Sequence, residues 1–137
     1  MPEYHGFAKD TPTALEPGRW YDIVFDRRDD GVAELRELVD DSHPHGALHL
    51  LSVGVVLTGL TPRCEVRLRA VEFESSGRVF RECAVDSRVQ VRGKGRFGHT
   101  WQGLPAPGRW VGVRVAQHGR ADAHLTEARA GVFAWPG

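Results

Sequence analysis

The sequence predicts an all-β protein with about eight short strands, arranged as an antiparallel β-sandwich or barrel. From Gly46 onward, segments rich in Val, Leu and aromatic residues recur at intervals of roughly ten residues, with turn residues between them. After position 40 the apolar residues do not recur with a helical period. Strands without crossover helices between them pair antiparallel, so the sequence favours a sandwich or barrel.

The first part of the chain divides at a turn. Residues 1–16 form a polar lead-in, and residues 17–137 form a single predicted β-sandwich domain. Pro17-Gly18 is typical of a turn, and Trp20 to Asp26 is aromatic and β-branched, which predicts the first strand. From Arg27 to His45 the pattern is irregular, and Val32 to Val39 fits either a short helix or a long loop.

The central segments predict strands with two irregularities. Ala47 to Leu60 is long enough for one bent strand or two short ones, with Gly54 as a bend or bulge. Apolar and charged residues then alternate from Cys64 to Ala70, but the apolar set shifts by one residue at Val71 and Phe73. Such a shift predicts a β-bulge near Ala70.

The remaining strands follow turn signals. Ser75-Ser76-Gly77 predicts a hairpin turn, and Gly93-Lys94-Gly95 and His118-Gly119-Arg120 predict two more turns. The strands predicted between and after these turns are Val79 to Val85, Val89 to Val91, Phe97 to Gln102, Val111 to Val115 and Leu125 to Trp135.

Composition excludes several classes of protein. The 137 residues carry 18 Lys+Arg and 18 Asp+Glu, so the net charge is zero and a nucleic-acid partner is not expected. No apolar run reaches the ~20 residues of a membrane helix, and the N-terminus lacks the pattern of a signal peptide. We therefore expect a chain made in the cytoplasm, without membrane contact. Cys64 and Cys83 are expected to be reduced and mostly buried.

The order of these features resembles the jelly-roll domains of the tumour-necrosis-factor and complement globular-head type, especially those of phage tail-fibre or minor tail proteins. The resemblance rests on Leu15 to Asp26, on the loop Asp29-Asp30-Gly31, on Gly46 to Arg69, on Leu104 to Val115 and on the ending Phe133-Ala134-Trp135. It implies jelly-roll topology for the predicted antiparallel β-sandwich, and a non-enzymatic structural or attachment module of a virion or cell surface. It also implies a homotrimer that binds a partner protein or a cell-surface glycan.

Histidines provide the sharpest local cluster. His43 and His45 flank Pro44, and His49 follows four residues later. Imidazole is a common ligand of transition metals, so these three residues are the candidate ligands of a cupin-like metal-dependent enzyme. No acidic ligand stands at the offset that cupins use, and a surface role for loop histidines is favoured. The expectation is therefore no metal and no cofactor.

Tryptophans provide the second candidate surface. Trp20 and Trp110 follow the same Pro-Gly-Arg turn, and Trp135 closes the last strand. With the many arginines they could form a ligand surface, as in a carbohydrate-binding module, although core or interface roles are favoured. No nucleophile motif and no phosphate loop is present, so the sequence predicts no catalytic residues and no enzyme.

Overall fold

The computed structural model describes residues 3–28, 47–74, 76–105 and 108–136. Within them the chain forms eight strands, all of whose pairings are antiparallel. The strands are β1 (Glu3–Lys9), β2 (Thr13–Leu15), β3 (Tyr21–Asp22), β4 (Arg27–Arg28), β5 (Ala47–Glu74), β6 (Val79–Gly103), β7 (Arg109–Gln117) and β8 (Ala123–Pro136). The predicted all-β antiparallel fold is confirmed, but several predicted short strands merge into the long strands β5 and β6.

The long hairpin of β5 and β6 connects two layers. The first part of β5, from Ala47 to Thr58, pairs with β8, whereas its second part, from Val66 to Glu74, pairs with β7. β6 runs beside β5 through both parts. We call the layer of β4, β1, β2, β8, the first part of β5 and the second part of β6 the first layer. The second layer consists of β3, β7 and the other parts of β5 and β6.

The hairpin bends where β5 passes from one layer to the other. Its ladder with β6 shifts register between Leu57 and Leu60 and again before Cys64. Gly59 and Arg63 have positive φ here, at 75° and 63°. Glycine adopts this conformation without the steric strain that a Cβ imposes. Of the two predicted alternatives, the structure shows one strand, and its irregularity is not at Gly54, which lies in an unshifted part of both ladders.

The predicted bulge near Ala70 is present in one ladder. The register between β5 and β6 shifts between Arg69 and Val71, whereas the ladder between β5 and β7 continues without a shift. The bulge does not explain why the apolar positions shift by one residue at Val71 and Phe73. Val71 and Phe73 are buried on the outer side of the second layer, where the Trp110 ring covers part of the sheet.

The core lies between the two layers and is built from the side chains of each strand that point inward. Period-two alternation places every second side chain of a strand on the same face. Members of this core include Phe7, Leu15, Phe25, Leu51, Val53, Val55, Val66, Leu68, Val113, Val115, Leu125, Ala128, Ala130 and Val132. Within the described residues, no helix meets the length and hydropathy that a membrane span requires.

The N-terminal residues differ from the predicted polar lead-in. β1 pairs with β8 over seven residues, from Glu3 opposite Ala134 to Lys9 opposite Ala128, and β2 pairs with β8 from Thr13 to Leu15. Charged and small residues in β1 hide its strand pattern in the sequence, and long-range pairing with β8 overrides that weak local signal. The alternative helix or loop at 32–39 lies outside the described residues.

Candidate functional site

The outer side of the first layer carries exposed bulky apolar side chains. We call Tyr4, Leu48, Phe133 and Trp135 the aromatic ridge; their exposed fractions are 56%, 37%, 40% and 38%. Tyr4 lies opposite Phe133 in the ladder between β1 and β8, and Leu48 lies opposite Trp135 between β5 and β8. The ring centroids of Tyr4 and Phe133 are 4.9 Å apart, and those of Phe133 and Trp135 are 6.1 Å apart. The ridge is therefore one continuous apolar surface.

A shallow groove lies beside the ridge, and small residues form its floor. Gly6, Gly131 and Ser52 lie side by side on β1, β8 and β5, and Gly54 and Gly98 lie side by side on β5 and β6. We call these five residues the glycine groove. Because their side chains are absent or small, the sheet backbone is the lowest part of this face. A Cβ at Gly131 would lie 3.1 Å from atoms of the Tyr4 ring, so this glycine lets the ring lie against the strand.

Two hollows open along the groove. One of about 450 Å³ is lined by ridge residues Tyr4 and Phe133 together with most of the groove. The other, of about 410 Å³, is lined by Gly98 and by charged side chains of β6 and β8. The two hollows share Gly54 and Arg129. They therefore form one depression that runs from an aromatic end to a charged end.

The charged end contains cations on two strands. Arg129 is exposed, and its guanidinium lies 3.1 Å from a carboxylate oxygen of Glu127 and 3.8 Å from one of Asp10. Arg96, on β6, is also exposed and lines the same hollow. Guanidinium groups bind aromatic faces as well as carboxylates, so this end can accept an aromatic side chain.

The outer side of the second layer also carries aromatic rings, but these pack against other side chains of the chain. The Trp110 ring stacks on Phe73 with centroids 4.2 Å apart and an interplanar angle of 18°, and its Nε1 donates to the carbonyl oxygen of Glu74 at 3.1 Å. A Cβ at Gly112 would lie 3.0 Å from both rings, so a larger residue here would push against this stack. Trp110 therefore has a packing role, with its polar atom paired.

Arginines cover the remaining tryptophan of this layer. The guanidinium carbons of Arg67 and Arg69 lie 5.6 Å and 4.6 Å from the centroid of the Trp20 ring. Arg69 also lies 3.0 Å from a carboxylate oxygen of Glu82, and Arg114 lies 2.7 Å from one of Asp22. Charge on this face is thus neutralised by neighbours across the sheet.

A fully buried glutamine joins the two layers at one end. Gln117 Nε2 donates to the carbonyl oxygens of Leu15 and Ala121 at 2.9 Å and 3.0 Å, and its Oε1 accepts from the amide of Gly119 at 2.8 Å. The Cys64 thiol lies 3.3 Å from the same Oε1. Burial raises the pKa of this thiol, which favours an unreactive protonated sulfur. The prediction that Cys64 is free and buried is confirmed.

The predicted histidine cluster cannot be assembled from the described part of the chain. His43 and His45 lie outside the described residues. His49 is half-buried on β5, between Gly103 and Ala134 of the neighbouring strands. Among the described residues, no group of three or more histidine, cysteine or acidic side chains could hold a metal ion.

The three predicted tryptophans belong to two different surfaces. Trp20 and Trp110 are half-buried on the second layer, whereas Trp135 is part of the aromatic ridge on the first. Sequence reasoning missed Tyr4, Phe133 and the glycine groove. One signal could have found them: in β8 both alternating sets, Val132 with Ala134 and Phe133 with Trp135, are apolar, which indicates a strand with two covered faces.

Comparisons with solved structures place this geometry in a class of folds. The globular domain of a zebrafish complement 1qA protein is 5% identical, with a TM-score of 0.59 over 97% of this chain and 96% of that one. Murine APRIL is 8% identical, with a TM-score of 0.55 over 97% of this chain and 99% of that one. The fold is therefore the jelly roll of the tumour-necrosis-factor and complement globular-head type, as the sequence resemblance implies.

Viral particles contain the same fold. VP2 of infectious bursal disease virus, solved as a subviral particle, is 7% identical with a TM-score of 0.60. This chain is covered over 99% of its length but spans only 33% of the VP2 chain. No protein-family model and no curated protein sequence matches the chain. At these identities the comparisons establish the fold alone.

Proposed function

We propose that this chain is a non-enzymatic structural or attachment module that assembles with copies of itself, as a homotrimer, through the aromatic ridge. The observation that carries the proposal is the exposure of Tyr4, Phe133 and Trp135 as one continuous apolar surface. Contiguous exposed apolar surface beside polar residues is typical of a protein interface. The resemblance to trimeric jelly-roll heads supports three copies.

The size of the face also supports self-association. The strands β1, β8, β5 and β6 of this face lie about 4.8 Å apart and contribute seven or more residues each, so the face covers on the order of 500 Å². Stable interfaces bury about 800 Å² on each partner, and protruding side chains add to the planar area. A single face of this sandwich is thus of the right order for a specific interface.

The solution mass tests the proposal. Light scattering on the whole chain is expected to give about three times the 15.2 kDa of one copy. The double variant Phe133→Ser with Trp135→Ser should give a single copy, because it removes the apolar surface without touching the core. Arg120→Ser, an exposed change in the turn before β8, is the control and should keep the wild-type mass. A wild-type chain that stays monomeric at high concentration would contradict the proposal.

We further propose an attachment role, in a phage tail or head fibre, with a glycan or protein receptor bound on surfaces that the trimer leaves exposed. Presenting a weak site several times raises avidity without any new contact. The virus-particle fold likeness supports a structural setting of this kind. A glycan array probed with the assembled chain tests the carbohydrate partner, and a pull-down from purified tail or capsid proteins tests the protein partner. Binding in neither assay would contradict the attachment role.

A further inference from the structure

We propose that the charged end of the depression binds the carboxylate of an acidic sugar at the end of a glycan. This inference rests on the attachment role proposed above and specifies the class of glycan. The charged end is the hollow of about 410 Å³ that Arg96, Arg129 and Glu127 line together with Gly54 and Gly98. A volume of this size suits a small-molecule site, in which a few convergent polar groups fix the ligand.

The two arginines of the hollow stand on strands that are not neighbours. Arg129 of β8 lies opposite Gly54 of β5, which in turn lies opposite Gly98 of β6. Arg96 of β6 lies opposite Val56, two residues further along β5. The two arginines are therefore two strands and two residues apart, with their Cα atoms about 12 Å from each other. A ligand that lies over Gly54 and Val56 thus has a guanidinium on each side.

Both arginines retain donors for a ligand. Arg129 contacts Glu127 through Nε at 3.1 Å and Asp10 through Nη2 at 3.8 Å, so the donors of Nη1 stay available. Arg96 is exposed, and it forms no ion pair within the part of the chain that the structure describes. Guanidinium groups bind carboxylates through parallel N–H donors. The hollow therefore offers a carboxylate a partner on either side.

Charge favours one carboxylate over a polyanion. Arg96 and Arg129 line the hollow with a single acid, Glu127, so the lining carries one net positive charge. One carboxylate neutralises this charge. A densely sulfated chain would also approach Glu127 and Asp10, the two acids that contact Arg129. Like charges placed close together across an interface lower the affinity.

The floor favours a sugar ring over a flexible acidic side chain. A Cβ built at Gly54 finds its nearest atom, the carbonyl oxygen of Phe97, only at 4.0 Å, and neither Gly54 nor Gly98 has a positive φ. Backbone conformation therefore does not require glycine here, and what glycine provides is open space above the sheet. A rigid ring that carries its carboxylate loses less conformational entropy on binding than a Glu or Asp side chain of a peptide.

The hollow also lies apart from the proposed self-association surface. On β8, Phe133 and Trp135 of the aromatic ridge are four and six residues from Arg129. These separations correspond to about 13 Å and about 20 Å along the strand. Contact through the ridge therefore does not use the charged end.

An NMR titration with sodium glucuronate tests the proposal. The amide resonances of Gly54 and Gly98 are expected to shift, whereas glucose and sodium acetate should leave them unchanged, because one lacks the carboxylate and the other the ring. Arg96→Gln should weaken glucuronate binding about tenfold, because a charged hydrogen-bond donor is lost. Lys94→Gln, which removes an exposed cation of β6 outside the hollow, is the control and should bind as wild type does.

The double variant Phe133→Ser with Trp135→Ser separates this site from self-association. It should bind glucuronate as the wild type does, although its mass is expected to be that of a single copy. No shift with glucuronate, equal shifts with acetate, or an equal loss of binding in Lys94→Gln and Arg96→Gln would overturn the acidic-sugar site. Tighter binding of a glutamate-rich peptide or a heparin fragment would also overturn it. A monomeric wild-type chain would instead contradict the proposed self-association.

Discussion

The two outer faces of this sandwich both carry large aromatic side chains that point away from the core. They differ in whether other side chains of the same chain pack on these rings. On the second layer, Trp20 lies under two arginines and Trp110 stacks on Phe73. On the first layer, the ridge rings Tyr4 and Phe133 contact each other and stay exposed.

This difference shows which surface aromatic residues indicate a binding partner. An aromatic ring that neighbouring cations and glycines already accommodate contributes to the stability of its own chain. A ring that protrudes beside an open groove buries its surface only when a second molecule arrives. Counting tryptophans does not separate these cases, because Trp20 and Trp110 belong to the first and Trp135 to the second.

The largest effect is expected at the end where the two layers are joined. Gln117→Leu should lower the free energy of unfolding by about 3 kcal/mol, because it leaves the carbonyls of Leu15 and Ala121 without their donors. Urea denaturation measures this change. His118→Leu, at the exposed neighbouring position, is the control and should change stability by less than about 0.5 kcal/mol. Equal effects of the two variants would contradict the structural role of Gln117.

The most direct comparison of the two faces uses one substitution on each. Trp110→Ala should lower the free energy of unfolding by about 2–3 kcal/mol and leave the assembly mass unchanged, because its ring packs within its own chain. Trp135→Ala should reduce the assembly and change the stability of the single chain by less than about 1 kcal/mol. Thermal unfolding and light scattering on the same samples separate the two effects. If Trp110→Ala changed the assembly mass and Trp135→Ala changed mainly the stability, the proposed roles of the two faces would be contradicted.

A smaller effect is expected from the charges of the second layer. Arg114→Met removes ion pairs at 2.7 Å to Asp22 and 3.8 Å to Glu82. All three side chains are partly exposed, so the loss should be below about 1 kcal/mol. It should shrink further in ~0.5 M salt, where surface charges are screened. An unchanged assembly mass is also expected, since this face is not the proposed interface. A monomeric Arg114→Met variant would contradict that assignment.

The smallest effect concerns pH and lies at the turn between β1 and β2. The carboxylate of Asp26 accepts hydrogen bonds from the hydroxyl and amide of Thr11, and the hydroxyl contact is the main cause of its lowered pKa. A lowered folded-state pKa stabilises the fold above the ordinary value of 3.8, and this contribution is lost as the pH falls below it.

Asp26→Asn should therefore be slightly less stable than wild type at pH 7 and should lose less stability on acidification to pH 3. Urea midpoints at the two pH values measure both changes. Asp122→Asn, at an exposed loop position, is the control and should follow the wild-type pH dependence. A wild-type chain whose midpoint falls no more than that of Asp26→Asn would contradict this role.

Local patterns predicted the second half of the chain better than the first. Alternation and turn glycines identify the strands around Val66 and Val113, because each inward position faces a core that is apolar throughout. The shift of apolar face at Val71 was visible as well. β1 was missed, because its small and charged residues become a strand only by pairing with β8, near the other end of the chain.

The sequence by itself determined that this protein is an all-β sandwich, because period-two alternation and turn residues are local properties of the chain. It also determined that aromatic residues are available for a surface. Only the tertiary structure decided which aromatic rings are covered. Trp20 meets Arg69 across more than forty residues of sequence, and Tyr4 meets Phe133 across nearly the whole chain. Such pairings depend on strand order and register, which alternation within one strand does not specify.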